Sequence, residues 1–282
     1  MTAFWEHFLV TLKLTLRNKQ ALIMAYCVPI LGVIAFGAYF RSSMPLRNEI
    51  AQVLTICIMG GACFGLPTSL VTERESGVWR RYRMTPIWNG WLIISTLLAR
   101  YLIVMTSGLL QIALAMTFYN MPSPLHPFQM FVAFTISSFA FLGMGLVIAM
   151  IVSSPLAVQG VGQMIFLPML VIGGVGVPLV ALPTWTHFVA MYMPGVYSVQ
   201  AMTACMYAFK KDGPSGLETV YYHLFALLVI GAFSFFCGIK LFRWEPGQKL
   251  RASAWLWALL AVVPWFAVGF AAHYWKLVAT NR

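Results

Sequence analysis

Apolar residues in this chain run without interruption rather than alternating with polar ones. Seven stretches stand out: Ala21–Phe40, Ile50–Val71, Arg100–Tyr119, Phe128–Val152, Pro155–Val180, Thr219–Ile239 and Ala252–Trp275. A helix needs roughly 20 such residues to cross the ~30 Å hydrocarbon core of a bilayer. Membrane-spanning strands would alternate, and only helices or closed barrels satisfy every backbone group in lipid. The pattern predicts an all-α, polytopic integral membrane helix bundle with about seven transmembrane helices. The first 20 residues are different. Phe4, Phe8, Leu9, Leu12 and Leu16 recur at helical spacing, and Lys13, Arg17 and Lys19 cluster toward the end of the segment. This predicts an amphipathic helix lying in the membrane interface. No cleavage site accompanies the first apolar run, which reads as a permanent anchor.

Composition agrees with the pattern. Of 282 residues, 61% are hydrophobic and 9% charged, against about 25% charged in a soluble domain. The net charge of +11 does not point to nucleic acid, because the basic residues sit in short gaps between apolar runs. Their distribution instead sets orientation. With the amino terminus in the cytoplasm, the inside carries 12 Lys and Arg and the outside 6, which is the favoured sense. Seven spans then leave the carboxyl terminus outside. Pro29, Pro67, Pro168 and Pro264 lie within spans and are candidate kinks. Gly61 and Gly65 form a small-xxx-small pair that permits close helix approach.

The chemistry a catalyst would need is missing from the pattern. The seven acidic residues all avoid the middle of a span, which argues against an ion-coupled carrier and removes paired carboxylates for acid–base work. The five histidines and five cysteines show no metal-ligand spacing. The cysteines read as small buried hydrophobes, with Cys205 expected outside the bilayer as a free thiol. No phosphate-binding loop occurs, so any ATP must be bound by another chain. No catalytic residue and no metal ligand are predicted.

One loop is informative. Between the second and third runs the chain reads Thr72-Glu73-Arg74-Glu75-Ser76-Gly77-Val78-Trp79-Arg80-Arg81-Tyr82-Arg83-Met84-Thr85-Pro86. Thr72 and Glu75 fit a T-x-x-E capping box, acids precede bases as a helix dipole favours, and Pro86 disfavours helix at Thr85. A short cytoplasmic helix is predicted, with Trp79 and Tyr82 resting in the interface. The string resembles the cytoplasmic loop of type-2 ABC transporter permeases, whose pattern is approximately E-R-E-x-G-T-x-E-x-L-x-x-T-P. Glu73, Arg74, Glu75, Gly77, Thr85 and Pro86 match, while Val78 and Arg80 depart from it. A second stretch also resembles that family: Gly173, Gly174, Gly176 and Pro178, then Pro183 and Trp185, then Pro194 and Tyr197.

The resemblance covers roughly 1–245, leaving 246–282 as an additional carboxyl-terminal transmembrane helix. It implies a permease subunit of an ATP-driven exporter in a plasma membrane, the bacterial inner membrane in particular. Partners would be cytoplasmic ABC ATPase subunits, which bind the ATP and Mg, a second permease subunit, identical or related, and membrane lipids. The charged loop, with Arg80, Arg81 and Arg83, would couple to the ATPase, and the Gly/Pro stretch would form an outer re-entrant gate. The cargo would be hydrophobic, amphipathic or lipid-linked. A membrane scaffold of a surface-assembly complex and a stand-alone secondary transporter are the alternatives.

Overall fold

The computed structural model describes residues 2–17, 23–39, 49–82, 89–206, 216–243 and 252–275. Among these the regular elements are all helical. Helix α1 is Thr2–Arg17, and α2 is Val28–Tyr39, preceded by a π-helical turn at Ile23–Cys27. Helices α3 (Ile50–Gly60) and α4 (Leu66–Glu75) are one continuous span joined by a π-turn at Gly61–Gly65. A short α5 (Val78–Tyr82) follows, then α6 (Asn89–Phe118), α7 (Pro127–Ile151) and α8 (Pro155–Val171). After a 3-10 turn at Leu179–Ala181 come α9 (Thr184–Ala190), α10 (Pro194–Met206), α11 (Tyr221–Lys240) and α12 (Ala252–Tyr274). Among the described residues five spans are long and apolar enough to cross a bilayer, those at Ile50–Glu75, Gly90–Phe118, Pro127–Ile151, Tyr221–Lys240 and Ala254–Tyr274. Two of the predicted runs form shorter apolar helices, α2 and α8.

The two π-turns have a common cause. Each ends two residues before a proline, Pro29 and Pro67. A proline gives no N–H to the carbonyl four residues back, and its ring crowds that carbonyl. Widening the preceding turn relieves the clash without ending the helix. Pro168 and Pro264 sit inside α8 and α12 without such a turn.

Helix α7 is the hub. From Ala140 to Met150 every one of its residues is buried, and it packs against α11, α10, α4 and the Gly61–Gly65 turn. Contact there is backbone to backbone. A Cβ on Gly145 would fall 2.3 Å from the Ala62 carbonyl oxygen, and one on Gly231 of α11 would fall 2.9 Å from the Ala140 Cα. Helix α12 lies at the edge, packed mainly on α11.

Two expectations need correction. The third span begins at Asn89, not Arg100, because its first turns support α1. There His7 Nδ1 lies 2.6 Å from the Ser95 hydroxyl, Phe4 meets Trp91 edge-on, and burial lowers the pKa of the His7 imidazole. The face α1 turns to α6 carries the buried His7, Phe8, Thr11 and Thr15, while Leu9 and Leu16 are exposed. The fifth span stops at Val171 rather than Val180. Gly173 N–H bonds back to the Pro168 carbonyl and Gly174 adopts φ 71, a left-handed turn that only glycine takes cheaply. Cys205, expected as a free thiol outside the bilayer, is a free cysteine whose side chain is buried within α10.

The glycine contacts give a stability prediction. Gly145→Val should cost about 1–3 kcal/mol through overpacking, because a backbone carbonyl cannot rotate away. Gly65→Ala, at a position where a Cβ meets nothing, should leave the thermal midpoint of the detergent-purified protein near that of the parent. Equal midpoints for the two variants would contradict the packing described.

Candidate functional site

The charged loop is not a helix that starts at Thr72. The span instead runs unbroken through Thr72 to Glu75, so the capping box does not form. The helix ends in a left-handed cap: Gly77 has φ 73, and its N–H bonds to the Arg74 carbonyl at 3.2 Å, one of the hydrogen bonds of a Schellman-type terminus. The chain then turns into α5, whose Arg80 N–H bonds to the Gly77 carbonyl. The result is an elbow of two helices hinged at Ser76–Gly77.

The elbow divides the E-R-E string by direction. Glu73 turns inward. Its carboxylate accepts from the Ser69 hydroxyl and from Trp79 Nε1, each at 3.4 Å, and Arg100 of α6 supplies the opposite charge. Arg100 itself donates to the Ser69 hydroxyl. Trp79 is 1% exposed and stacks on Phe242 with ring centroids 5.1 Å apart, so it is a buried anchor and not an interfacial residue. Glu75 and Arg80 face outward.

Arg74 is fully buried and reaches the end of α7. Its Nη1 donates to the Ala149 carbonyl at 3.1 Å and its Nη2 to the Val152 carbonyl. Arg243, just past α11, donates from Nη2 to Ile151 and Val152 at 3.2 and 3.1 Å. The last carbonyls of a helix have no partner within it, and their partial negative charge favours a cation. Two guanidiniums therefore clamp one helix terminus and share one oxygen. Burial lowers the pKa of Arg243, and Glu75 provides the opposing charge near Arg74.

The predicted gate lies at the other end of the bundle. The turn after α8 is closed by Gly176 N–H on the Leu170 carbonyl at 2.8 Å. Pro178 and Pro183 precede the 3-10 turn and α9, and Trp185 is exposed on α9. Pro194 opens α10, which returns into the bundle and is almost wholly buried. Its Tyr197 is buried and donates its hydroxyl to the Met191 carbonyl. Gln52 of α3 donates to the Gly174 carbonyl at 3.2 Å, and Thr55 lies 3.3 Å from the Ser198 hydroxyl. One helix, Ile50–Glu75, thus touches both predicted sites.

Of the predicted residues, Arg81 lies in α5 but its side chain is outside the described set, as are Arg83, Thr85 and Pro86 altogether. Sequence reasoning did not single out Ser69, Arg100, Phe242 or Arg243, nor the pair formed by His223 Nε2 and Gln200 Oε1. Arg100 and Arg243 were visible only as topogenic charges. Among the described residues no cluster of His, Cys, Asp and Glu is arranged to hold a metal ion.

Residues 2–207 match the family model described as ABC-2 type transporter, which takes in α1 through α10. No curated protein matches this chain in sequence.

The clamp is open to a double-mutant cycle. Arg74→Ala and Arg243→Ala should each lower stability, by about 1.5–3 kcal/mol for a lost charged hydrogen bond. Because both bind the Val152 carbonyl, the losses should be non-additive by at least about 0.5 kcal/mol. Strict additivity in chemical denaturation would show that the two arginines act separately.

Proposed function

The chain belongs to the ABC-2 type transporter family, and from that premise we propose that it is the permease subunit of an ATP-driven exporter. It is an integral membrane component of an ABC transporter. Two copies would enclose the route between them, and two cytoplasmic ATPase subunits would bind ATP and Mg and supply the work. The amino terminus and the elbow would face the cytoplasm. The α8–α10 turn and the carboxyl terminus would face outward. The membrane would be the bacterial inner membrane, and the cargo hydrophobic, amphipathic or lipid-linked.

The observation that carries this reading is the split within the elbow. Glu73, Arg74 and Trp79 tie it to the bundle, whereas Glu75 and Arg80 are presented to solvent. An element held firmly on one side and charged on the other suits a docking lever. Push on α5 reaches α7 through Arg74 and α6 through Glu73 and Arg100. Arg81, Arg83, Thr85 and Pro86 would complete the docking surface. Glycine at 77 lets the two arms meet at φ 73. At the far end, Gly173, Gly174, Gly176, Pro178, Pro183, Trp185, Pro194 and Tyr197 would form the gate. The helix Ile50–Glu75 is the direct connection, about 39 Å long at 1.5 Å per residue.

Two measurements test the reading. Glu75→Lys should leave insertion intact but lower ATP hydrolysis by the co-purified complex several-fold. Since the Glu75 charge also acts on Arg74, the melting of the permease without its ATPase is measured alongside. An unchanged midpoint with reduced hydrolysis supports docking, and undiminished hydrolysis by the mutant complex refutes it. The purified single chain should hydrolyse no ATP, and turnover by that chain would overturn the subunit reading.

A further inference from the structure

Helix α12 lies beyond residues 2–207, the part that matches the family model, so the match supplies no role for it. Its side chains sort into three stripes. Ala261, Trp265, Val268 and Ala272, at i, i+4, i+7 and i+11, turn to the bundle, with Ala261, Val268 and Ala272 buried and Trp265 packed on the core. Leu256, Leu259, Val263 and Phe270 are exposed on the lipid side. Between them runs a third stripe, Phe266, Gly269 and His273, at i, i+3 and i+7 and so aligned along one edge of the helix. Every member of that stripe meets α9 or the corner that follows it. The Phe266 ring lies 5.9 Å from Tyr192, and His273 stands edge-on to Phe188 at 5.0 Å. At Gly269 the approach is to backbone: a Cβ there would fall 2.9 Å from the Tyr192 Cα and 2.4 Å from its ring.

Tyr192 sits in the turn at 191–193 that joins α9 to α10. Its N–H bonds to the Val189 carbonyl at 3.1 Å, and Met193 N–H to the Ala190 carbonyl at 2.9 Å. Tyr197 of α10 holds this corner from within by donating its hydroxyl to the Met191 carbonyl. Helix α12 holds it from the other side. Phe188 precedes Tyr192 by one helical turn and meets its ring at 5.3 Å, so α9 runs along α12 in the opposite direction. Gly269 is about 22 Å along α12 from Ala254 at 1.5 Å per residue, which places the corner well inside the span. Helix α12 is in turn fixed to α11, where Tyr222 donates its hydroxyl to the Val268 carbonyl and Phe236 meets Trp257 edge-on at 5.7 Å. Since α11 packs closely on α7, α12 is tied to the stiffest part of the bundle.

We propose that α12 is a brace on the outer gate: its stripe of Phe266, Gly269 and His273 holds Tyr192 and Phe188, and the gate opens only when the α9–α10 corner parts from α12. This rests on the gate role proposed above for the segment from Gly173 to Tyr197, and adds what restrains it. Helix α9 has 7 residues, too few to hold its own position. Its aromatic side chains therefore need a fixed surface, and α12 provides one. Dispersion contacts fade over a gap of about 1 Å, so the hold is firm while the rings touch and is lost abruptly once the corner lifts. A restraint of that kind keeps the gate shut at rest and yields when α8 and its glycine turn are displaced. The additional span thus sets how much work opening requires.

Reducible cross-linking in the co-purified complex with its ATPase tests the brace. The background carries Cys27→Ser, which removes the exposed thiol. Phe188→Cys and His273→Cys replace two exposed side chains, and a short bis-methanethiosulfonate should join them in the nucleotide-free complex. Trapping with ATP and vanadate should slow that reaction at least fivefold. Once joined, the complex should hydrolyse ATP at least fivefold more slowly and recover on adding dithiothreitol, which separates a locked gate from a damaged fold. No cross-link at rest, an equal rate with vanadate, or full hydrolysis by the joined complex each overturns the proposal. A complex that hydrolyses ATP while its cross-linking ignores vanadate loses the brace and keeps the permease reading, whereas a chain that brings down no ATPase loses both. The double variant Phe266→Leu, His273→Leu should keep the thermal midpoint and raise resting hydrolysis about twofold. Unchanged hydrolysis in that variant would show that the stripe does not restrain the corner.

Discussion

The architecture depends on what happens at the inner end of α7. This helix is buried along its whole inner half, from Ala140 to Met150, and it stops at Ile151, where its last carbonyls have no partner within the helix. Carbonyls left without partners at a packed helix end are costly, and the residue that ends the helix, Val152, has no side-chain donor to offer them. Arg74 and Arg243 fill that role. Each comes from the end of a different span, so satisfying one helix terminus also fixes the relative positions of three. A buried cation is expensive in isolation; here the helix dipole and three carbonyl oxygens offset the expense. Removing either arginine would leave the other facing a terminus it only half covers.

The same device explains why the E-R-E string reads as one motif yet performs three jobs. Successive helical side chains diverge by about 100°, so three consecutive charges point in three directions. Glu73 looks toward α6, Arg74 toward α7, and Glu75 toward solvent. The exposed residue is free to meet a partner because the two before it hold the helix end still. Gly77 then turns the chain sharply enough for Trp79 to fold back onto Phe242. A residue with a side chain would pay about 1–2 kcal/mol to hold that left-handed angle.

Much of this was legible in the sequence, and the misses have physical reasons. Continuous apolar runs gave the spans well because the bilayer demands them. The boundary at Arg100 was missed because Asn89–Ala99 packs beneath α1, so its polar Ser95 and Thr96 are buried by protein rather than excluded from the membrane. The end of α8 was missed because the residues after Val171 remain apolar while their glycines turn, and hydropathy does not register φ. The capping box at Thr72 was a local signal that lost to a larger one, the uninterrupted span arriving from Ile50. Most tellingly, Arg100 and Arg243 were read only as topogenic charges on the inner side, with Arg100 near the interface. A basic residue at a membrane edge looks the same in sequence whether it faces the solvent or a neighbouring helix terminus, and only the packing of α4, α6, α7 and α11 decides between them.

The bundle is also unevenly held, and that bears on how work could pass through it. Helices α7 and α11 and the Gly61–Gly65 turn meet through glycine and alanine backbones, with a carbonyl oxygen or Cα atom 2.3–3.1 Å from where a Cβ on Gly143, Gly145 or Gly231 would stand. Such interfaces are close-packed and deform little. Helix α8 is different: about 26 Å long at 1.5 Å per residue, it falls short of the ~30 Å core, and most of its side chains are not buried. It hangs between two fixed points, Ser154 beside the arginine clamp and the Gly173–Gly176 turn pinned by Gln52. A displacement at the elbow meets stiff resistance from the α7 group and little from α8. On the proposed reading, motion delivered by the ATPase would therefore appear as a shift of the short helix against a rigid core, at the place where the glycines already permit a turn.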